Sequence, residues 1–243
     1  SVKEIWRGGS PVWRRGDYFM TKVNLPSGST TTLVDAKFKS TKLPNLNDFR
    51  SICGMSNDGK YLLVKKGTHD GIGRLYDLKK KSFVKNCSVE VPLAVLAGGD
   101  LLYRDTTNDN ILLRQSCSSG EVIWKSDLGR VIKKVIVNGQ ESLAFSAHSV
   151  IDLSSGKILF KKKCGRAHFT RDGNSLIFAW PSSGRSEIYE AAIGKLRLRL
   201  LVESGTRAVS VSPDYSMVII NGGLWRRSSI LYKVTDPAKL AKK

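Results

Sequence analysis

The sequence is poor in the residue types that most often bind metals or act as nucleophiles. Its 243 residues include three histidines, dispersed over different expected blades, and four cysteines separated by 34, 30 and 47 residues. They are His69, His148, His168, Cys53, Cys87, Cys117 and Cys164. Zinc sites and Cys/His catalytic pairs have recognisable spacings that are missing here. We therefore predict no metal, no cofactor and reduced, buried thiols, with Cys117 acting as a small core residue.

The sequence also lacks long apolar runs and has few acidic residues. No run of about 18 apolar residues is present, and the first residues lack the apolar segment of a signal peptide. Apolar residues make up 41% of the chain, which is enough for a sizeable core. Lys and Arg number 40 against 21 Asp and Glu, which gives a formal net charge of +19. These features predict a globular, intracellular protein, cytoplasmic or nuclear, with no membrane partner.

One short pattern recurs six times along the chain. The pattern is an apolar residue (Gln115 in one copy), a polar one, a small or aliphatic one, two turn residues and then Gly, Pro or Lys. The copies are Val23–Gly28, Tyr76–Lys81, Gln115–Gly120, Ile151–Gly156, Tyr189–Gly194 and Tyr232–Pro237. Their starts are 53, 39, 36, 38 and 43 residues apart. Four of these intervals are near ~40 residues, the length of a four-stranded propeller blade.

Tight turns precede most copies at a comparable distance and are followed by short apolar runs. Asn57-Asp58-Gly59 before Tyr61–Val64 and Arg171-Asp172-Gly173 before Leu176–Trp180 are typical of hairpins. The sequence therefore predicts an all-β fold, a single β-propeller of about six four-stranded blades over residues 1–243. The expected blades are 1–36, 48–88, 91–129, 131–164, 166–203 and 206–243. Five blades, part of a larger propeller and a β-sandwich remain alternatives.

Several segments resemble known propeller families. Residues 55–62, 169–176 and 211–218 resemble the strand–turn–strand segment of WD-repeat propellers, and Arg74–Leu78 resembles the segment that ends in their Trp-Asp pair. Residues 119–125 and 155–161 are similar to the Gly-to-Trp strand of quinoprotein-like propellers. The resemblance implies a propeller that serves as a scaffold for other macromolecules.

An enzyme would need suitable acids on the innermost strands of such a propeller, because glycoside hydrolysis uses paired carboxylates. Among the segments expected to line the channel, only Glu4 is acidic, and Glu90 borders one of them. We therefore predict no enzymatic activity. A small glycan-binding or hydrolytic propeller remains a remote alternative.

The basic excess predicts an anionic partner, since solubility alone does not require so much charge. It reaches +6 over residues 151–200, and the expected loops after the second strands combine Trp with Arg. Guanidinium groups form bidentate hydrogen bonds with phosphates and carboxylates, and indole rings stack on bases or on Arg. The cations of Lys195–Leu200 are expected to protect an exposed sheet edge instead.

We therefore predict a non-catalytic scaffold, part of a larger complex, that docks RNA, DNA or an acidic protein on one basic, Trp-rich face. The alternative is a pure protein–protein interaction module without nucleic-acid binding. The predicted partner-binding residues are Trp13, Arg14, Arg15, Lys65, Lys66, Lys161, Lys162, Lys163, Trp180, Arg185, Trp225, Arg226 and Arg227.

Overall fold

The structure, a computed structural model, confirms the all-β prediction. It describes residues 11–15, 18–25, 28–34, 40–43, 51–65, 71–170, 172–180, 183–201, 208–212, 217–221 and 229–233. These residues form 23 β-strands and one short 3-10 helix, Ala97–Gly99. No α-helix occurs among them, and none of their helical segments is long and apolar enough to cross a membrane.

The strands form antiparallel sheets of consecutive strands, and the chain divides into two compact units, Ser1–Lys125 and Ser126–Lys243. The first sheet contains β1 (Pro11–Arg15), β2 (Tyr18–Leu25), β3 (Gly28–Val34) and β4 (Ser40–Lys42). The second contains β5 (Ser51–Met55), β6 (Tyr61–Lys65), β7 (Gly73–Asp77) and β8 (Ser82–Val89). The third contains β9 (Pro92–Val95), β10 (Leu101–Arg104), β11 (Ile111–Gln115) and β12 (Val122–Asp127).

Three further sheets follow in the second unit. The fourth contains β13 (Ile136–Val137), β14 (Leu143–Ser146), β15 (Ser149–Asp152) and β16 (Ile158–Lys161). The fifth contains β17 (Arg166–Phe169), β18 (Ser175–Trp180), β19 (Arg185–Glu190) and β20 (Lys195–Leu201). The sixth has three described strands, β21 (Ala208–Val211), β22 (Met217–Asn221) and β23 (Ser229–Lys233). Blade number, blade boundaries and the single-domain organisation stay predictions.

The recurrent sequence pattern lies at one structural position in the second to fifth sheets, the turn between the third and fourth strands. The third residue of the pattern is fully buried at Leu153 and Ala191. Its backbone N–H donates to a carbonyl just before the second strand of the same sheet. The pairs are Leu78 with Lys60, Leu153 with Ser142 and Ala191 with Asn174, each at 2.9 Å. The pattern therefore ties two neighbouring turns together.

The turns before the second strands are closed by side chains. Thr170 Oγ1 donates to Asp172 Oδ1 at 2.5 Å and accepts the N–H of Ser175 at 3.0 Å. Ser56, at the corresponding position in the second sheet, uses its hydroxyl in the same way. Gly173 has φ +74°, a conformation that Gly adopts without steric cost. Hydrogen bonding by the Thr170 hydroxyl, the largest influence, lowers the pKa of Asp172.

The core explains why the second strands are apolar over their whole length. Leu176, Ile177 and Phe178 of β18 are all fully buried, so both faces of this strand are covered. Side chains of the fourth and fifth sheets, including Phe145 and Phe178 with ring centroids 5.4 Å apart, form one core cluster. An apolar run covered on both faces gives continuous burial instead of alternation.

The first sheet differs from the next four. Its four described strands pair in the order β1-β2-β3-β4. The copy of the pattern at Val23–Gly28 spans the second and third of these strands instead of the third and fourth. Ser40–Lys42 has no apolar alternation, so the sequence gives no sign of this strand.

The prediction of reduced thiols is wrong for two of the four cysteines. Cys87 of β8 and Cys117, in the turn after β11, are joined in a disulfide, with their Cα atoms 5.1 Å apart. Both are buried in the core cluster shared by the second and third sheets, as expected of Cys117. Thirty residues separate the two cysteines, and this spacing gave no indication that their strands meet.

Candidate functional site

The candidate site lies in the second unit, at one end of the fourth and fifth sheets. In antiparallel sheets, the loop after the second strand and the connection after the fourth strand leave at the same end. Here these are the β14–β15 turn, the β18–β19 loop and the β16–β17 connection. The N–H of Lys162 in the connection donates to the carbonyl of His148 in the turn at 2.7 Å. We call residues 146–149, 161–166, 180 and 183–185 the loop end of this unit.

A buried carboxylate organises the cations of the loop end. Glu187 of β19 has no exposed surface. Its Oε1 accepts hydrogen bonds from Arg185 and from Arg199 Nε, the latter at 3.0 Å. Its Oε2 lies 2.9 Å from both Lys162 Nζ and Tyr189 Oη, which donate to it. We call these five residues the Glu187 cluster.

Strand geometry brings the members of the cluster together. Residues 185, 187 and 189 share one face of β19 because side chains alternate along a strand. Arg199 of β20 is the register partner of Glu187. Lys162 approaches from the β16–β17 connection and remains 28% exposed, whereas the Arg185 and Arg199 side chains are each 41% exposed. Three cations surround one carboxylate, so two positive charges are left at a partly exposed position.

The charges of the cluster stabilise one another. Burial alone would raise the pKa of Glu187, but hydrogen bonds from Arg185, Lys162 and Tyr189 outweigh it and hold that pKa at about 2. Burial likewise lowers the pKa of Lys162, and its contacts with Tyr189 and Glu187 more than compensate, so the pKa is raised. Both groups are therefore charged near neutral pH, and the cluster keeps its net charge of +2.

Trp180 supports two of these cations. Its ring centroid lies 5.1 Å from Arg185 Cζ and 5.8 Å from Lys162 Nζ, within the range of cation–π attraction. The ring also packs 6.5 Å from that of Phe178, at the margin of the core. Trp180 therefore positions cations and completes the core. Its contacts favour this role over stacking on a nucleic-acid base.

The structure brings some of the predicted residues together. Lys162, Trp180 and Arg185 are in contact, and Lys161 and Lys163 flank Lys162 with exposed side chains. Lys161 Nζ also donates to the carbonyl of Leu128 at 3.4 Å.

The remaining predicted residues lie elsewhere. Lys65 ends β6 and is only 8% exposed, so it offers little surface to a partner. Trp13, Arg14 and Arg15 lie in β1 and pair with Met20, Phe19 and Tyr18. Lys66, Trp225, Arg226 and Arg227 lie outside the described residues, and their proposed role stays a prediction.

Three residues of the cluster were missed by sequence reasoning. Glu187 and Tyr189 follow Arg185 at every second position, and Arg199 belongs to the strictly alternating run Lys195–Leu200. That run had been interpreted as an exposed, protected edge. Arg199 pairs with Glu187 and Arg197 pairs with Glu190, so its arginines face carboxylates of β19. The sequence signal for this pairing was the presence of acidic residues in one strand and alternating basic residues in the next, because opposite charges on neighbouring strands attract each other.

A cavity of about 490 Å³ lies at the opposite end of the same two sheets. Its lining includes Asp152, Glu190 and Arg197. Hydrogen bonding, first from the Ser154 hydroxyl, lowers the pKa of Asp152. Glu190 pairs with Arg197. Asp152 is therefore not held in its protonated form, as a general acid would have to be. No group of three His, Cys, Asp or Glu residues suited to a metal ion occurs among the residues that the structure describes.

No family model and no curated protein sequence matches this chain. Solved structures do resemble it. Hsv2 of Kluyveromyces marxianus superimposes with a TM-score of 0.58 and 14% identity, over 94% of this chain and 79% of that one. The C-terminal WD40 domain of Sif2 gives 0.56 and 12%, over 85% and 61%. The dihydro-heme d1 dehydrogenase NirN, in complex with DHE, gives 0.58 and 16%, over 93% and 54%.

These likenesses show the fold. The chain has a β-propeller fold that resembles WD40 propellers, as the sequence segments indicated. At these identities the function does not follow from the fold, and the group includes an enzyme as well as a WD40 domain.

Proposed function

We propose that the protein is a non-catalytic propeller scaffold that docks an anionic macromolecule on the loop end of its second unit. The Glu187 cluster is the observation that carries this proposal. Arg185 and Arg199 keep their guanidinium groups partly exposed while the carboxylate behind them fixes their positions. Preorganised guanidinium groups bind phosphate or carboxylate strongly, because little side-chain entropy is lost on binding.

The charge balance of the whole chain supports an anionic partner. The net charge of +19 attracts polyanions over a distance and raises their rate of association. The carboxylates that line the cavity at the opposite end are already hydrogen-bonded or paired with Arg197. Acid–base catalysis therefore has less support than docking, and the propeller serves as a rigid frame for the loop end.

A binding titration tests the proposal. The purified chain is titrated with a labelled mixed-sequence oligonucleotide and with polyglutamate at two salt concentrations. For a nucleic acid, the logarithm of the binding constant should fall linearly with the logarithm of the salt concentration. The slope should be roughly −0.7 to −0.9 for each phosphate that the protein neutralises. The variant Arg185→Gln/Arg199→Gln should lose most of the affinity and reduce the slope by about 2.

Two further variants make the result interpretable. Lys157→Gln/Lys195→Gln removes two exposed charges at the opposite end of the same sheets and should bind nearly as the wild type does. Lys161→Gln/Lys163→Gln alters exposed loop-end residues outside the Glu187 cluster, so it tests the surface without loosening that cluster. Equal losses in the loop-end and opposite-end variants would refute the assignment of the surface. No binding of either polyanion would refute the proposed function and favour a pure protein-interaction module.

A further inference from the structure

A second group of positive charges adjoins the Glu187 cluster. His148 lies in the β14–β15 turn, and the positive charges of Arg130 and Lys163 act on it from the β12–β13 and β16–β17 connections. Lys162 pairs with Glu187, whereas the next residue, Lys163, is exposed and its positive charge acts on His148. The hydrogen bond from Lys162 N to the His148 carbonyl joins the two groups.

The turn that carries His148 has an unusual backbone. Ser146 and Ser149 are register partners, so Ala147 and His148 form a two-residue hairpin loop. Their φ values are +45° and +67°. Such turns normally use Asn-Gly or Gly, because a left-handed conformation costs about 1–2 kcal/mol in other residues. Backbone strain of this kind is concentrated at functional sites, and here the strained turn carries the histidine on which two cations act.

We propose that Arg130, His148 and Lys163 form a second anion subsite, so that the loop end binds consecutive phosphates of one nucleic-acid backbone. This inference rests on the proposed function. The Glu187 cluster supplies the first subsite, and the Trp180 ring beside it already contacts Lys162 and Arg185 instead of a base. The loop end therefore contacts the phosphates of the partner, and its binding does not depend on base sequence.

The second subsite couples binding to protonation. Burial, followed by the charges of Arg130 and Lys163, lowers the pKa of His148, which is therefore neutral near pH 7 in the free protein. A bound phosphate opposes those charges and favours the imidazolium form. His148 then takes up a proton on binding, and affinity rises as the pH falls. An acidic peptide would place carboxylates at less regular intervals than a phosphodiester backbone does.

The test measures fluorescence anisotropy of labelled mixed-sequence RNA at about pH 6 and about pH 8, at fixed salt. The wild type should bind about three- to ten-fold more tightly at the lower pH, as expected for uptake of up to one proton. His148→Gln should bind like the wild type at the higher pH and lose most of the increase in affinity at the lower pH. The matched control is His168→Gln, which replaces a second histidine, on β17, and should keep that increase. Lys163→Gln should weaken binding at both pH values and reduce the salt slope by about 1.

Each result separates the two proposals. Absence of binding to RNA and to polyglutamate overturns both. Binding with no pH gain, or with the full gain kept in His148→Gln, overturns the second subsite and leaves the docking surface in place. Tighter binding of polyglutamate than of RNA at matched charge overturns the nucleic-acid assignment. A strong preference among RNA sequences overturns recognition through the backbone.

Discussion

Replacing Glu187 by Gln tests whether the buried carboxylate holds the loop end together. The substitution keeps the side-chain shape and removes the charge that faces Lys162, Arg185 and Arg199. The pKa of Glu187 falls from 4.5 to about 2 in the folded protein. This shift corresponds to roughly 3 kcal/mol of stability. Breaking a buried ion pair costs about 3–5 kcal/mol in general. We therefore expect a loss of about 3 kcal/mol in the free energy of unfolding near neutral pH.

The loss should depend on pH with a definite sign. The folded-state pKa is lowered, so the ionised carboxylate stabilises the protein fully above its ordinary value of 4.5. This contribution disappears as the pH falls from 4.5 towards about 2. The difference between the wild type and Glu187→Gln should therefore be largest at neutral pH and shrink over that interval.

Urea unfolding followed by Trp fluorescence and circular dichroism, at about pH 7 and about pH 3, measures both quantities. Glu190→Gln is the matched control, because Glu190 lies on the same strand and pairs with Arg197, but its side chain is 31% exposed. The control should lose less than about 1 kcal/mol. A neutral-pH loss in Glu187→Gln no greater than that of the control would refute the reasoning, and so would a loss of equal size at both pH values.

Three further changes test the packing of the fold. Ala147→Gly should raise the free energy of unfolding by about 0.5–1 kcal/mol by relieving its positive φ, and a loss in urea unfolding would contradict the strained turn. Reducing the Cys87–Cys117 disulfide should lower stability by about 3–4 kcal/mol, because it closes a 30-residue loop, and identical unfolding curves with and without reductant would exclude this. Thr170→Val removes the acceptor for the Ser175 N–H and should cost about 1 kcal/mol in the same assay, whereas an unchanged unfolding midpoint would show that the turn closes without it.

The strands could be predicted because their signals are local. Turn residues such as Asn57-Asp58-Gly59 and apolar runs such as Leu176–Trp180 determine hairpins within a few residues. The third and fourth strands of the second to fifth sheets followed from the spacing of one pattern. The short β4 carries no apolar alternation and was missed. The Cys87–Cys117 disulfide depends on contact between two sheets, and sequence separation contains no information on that distance.

The site was only partly predictable for the same reason. Lys162, Trp180 and Arg185 stood out because Trp next to cations at an expected loop is a local signal. Glu187 is the residue that brings them together, and its importance depends on complete burial. Arg199 was interpreted as a solvated edge residue, because the sequence does not reveal its register with Glu187. For Lys65 the difference is the reverse. It was predicted to be an exposed binding residue because it is basic and lies at a strand end, but its side chain is buried.

The Glu187 cluster also explains how a basic surface can hold its charges at fixed positions without reading the base sequence of a partner. A lysine or arginine in solvent samples many rotamers, and holding it in one costs up to about 2 kcal/mol. Here Arg185 and Arg199 are positioned by a carboxylate on a central strand, and Arg185 also contacts Trp180. That cost is met during folding, so it is not incurred again on binding. Under the proposed function, the same carboxylate cancels one charge in three, which limits the affinity for an anionic partner. Because Trp180 contacts cations, we expect the proposed contact to select the charge and spacing of its partner and not a base sequence.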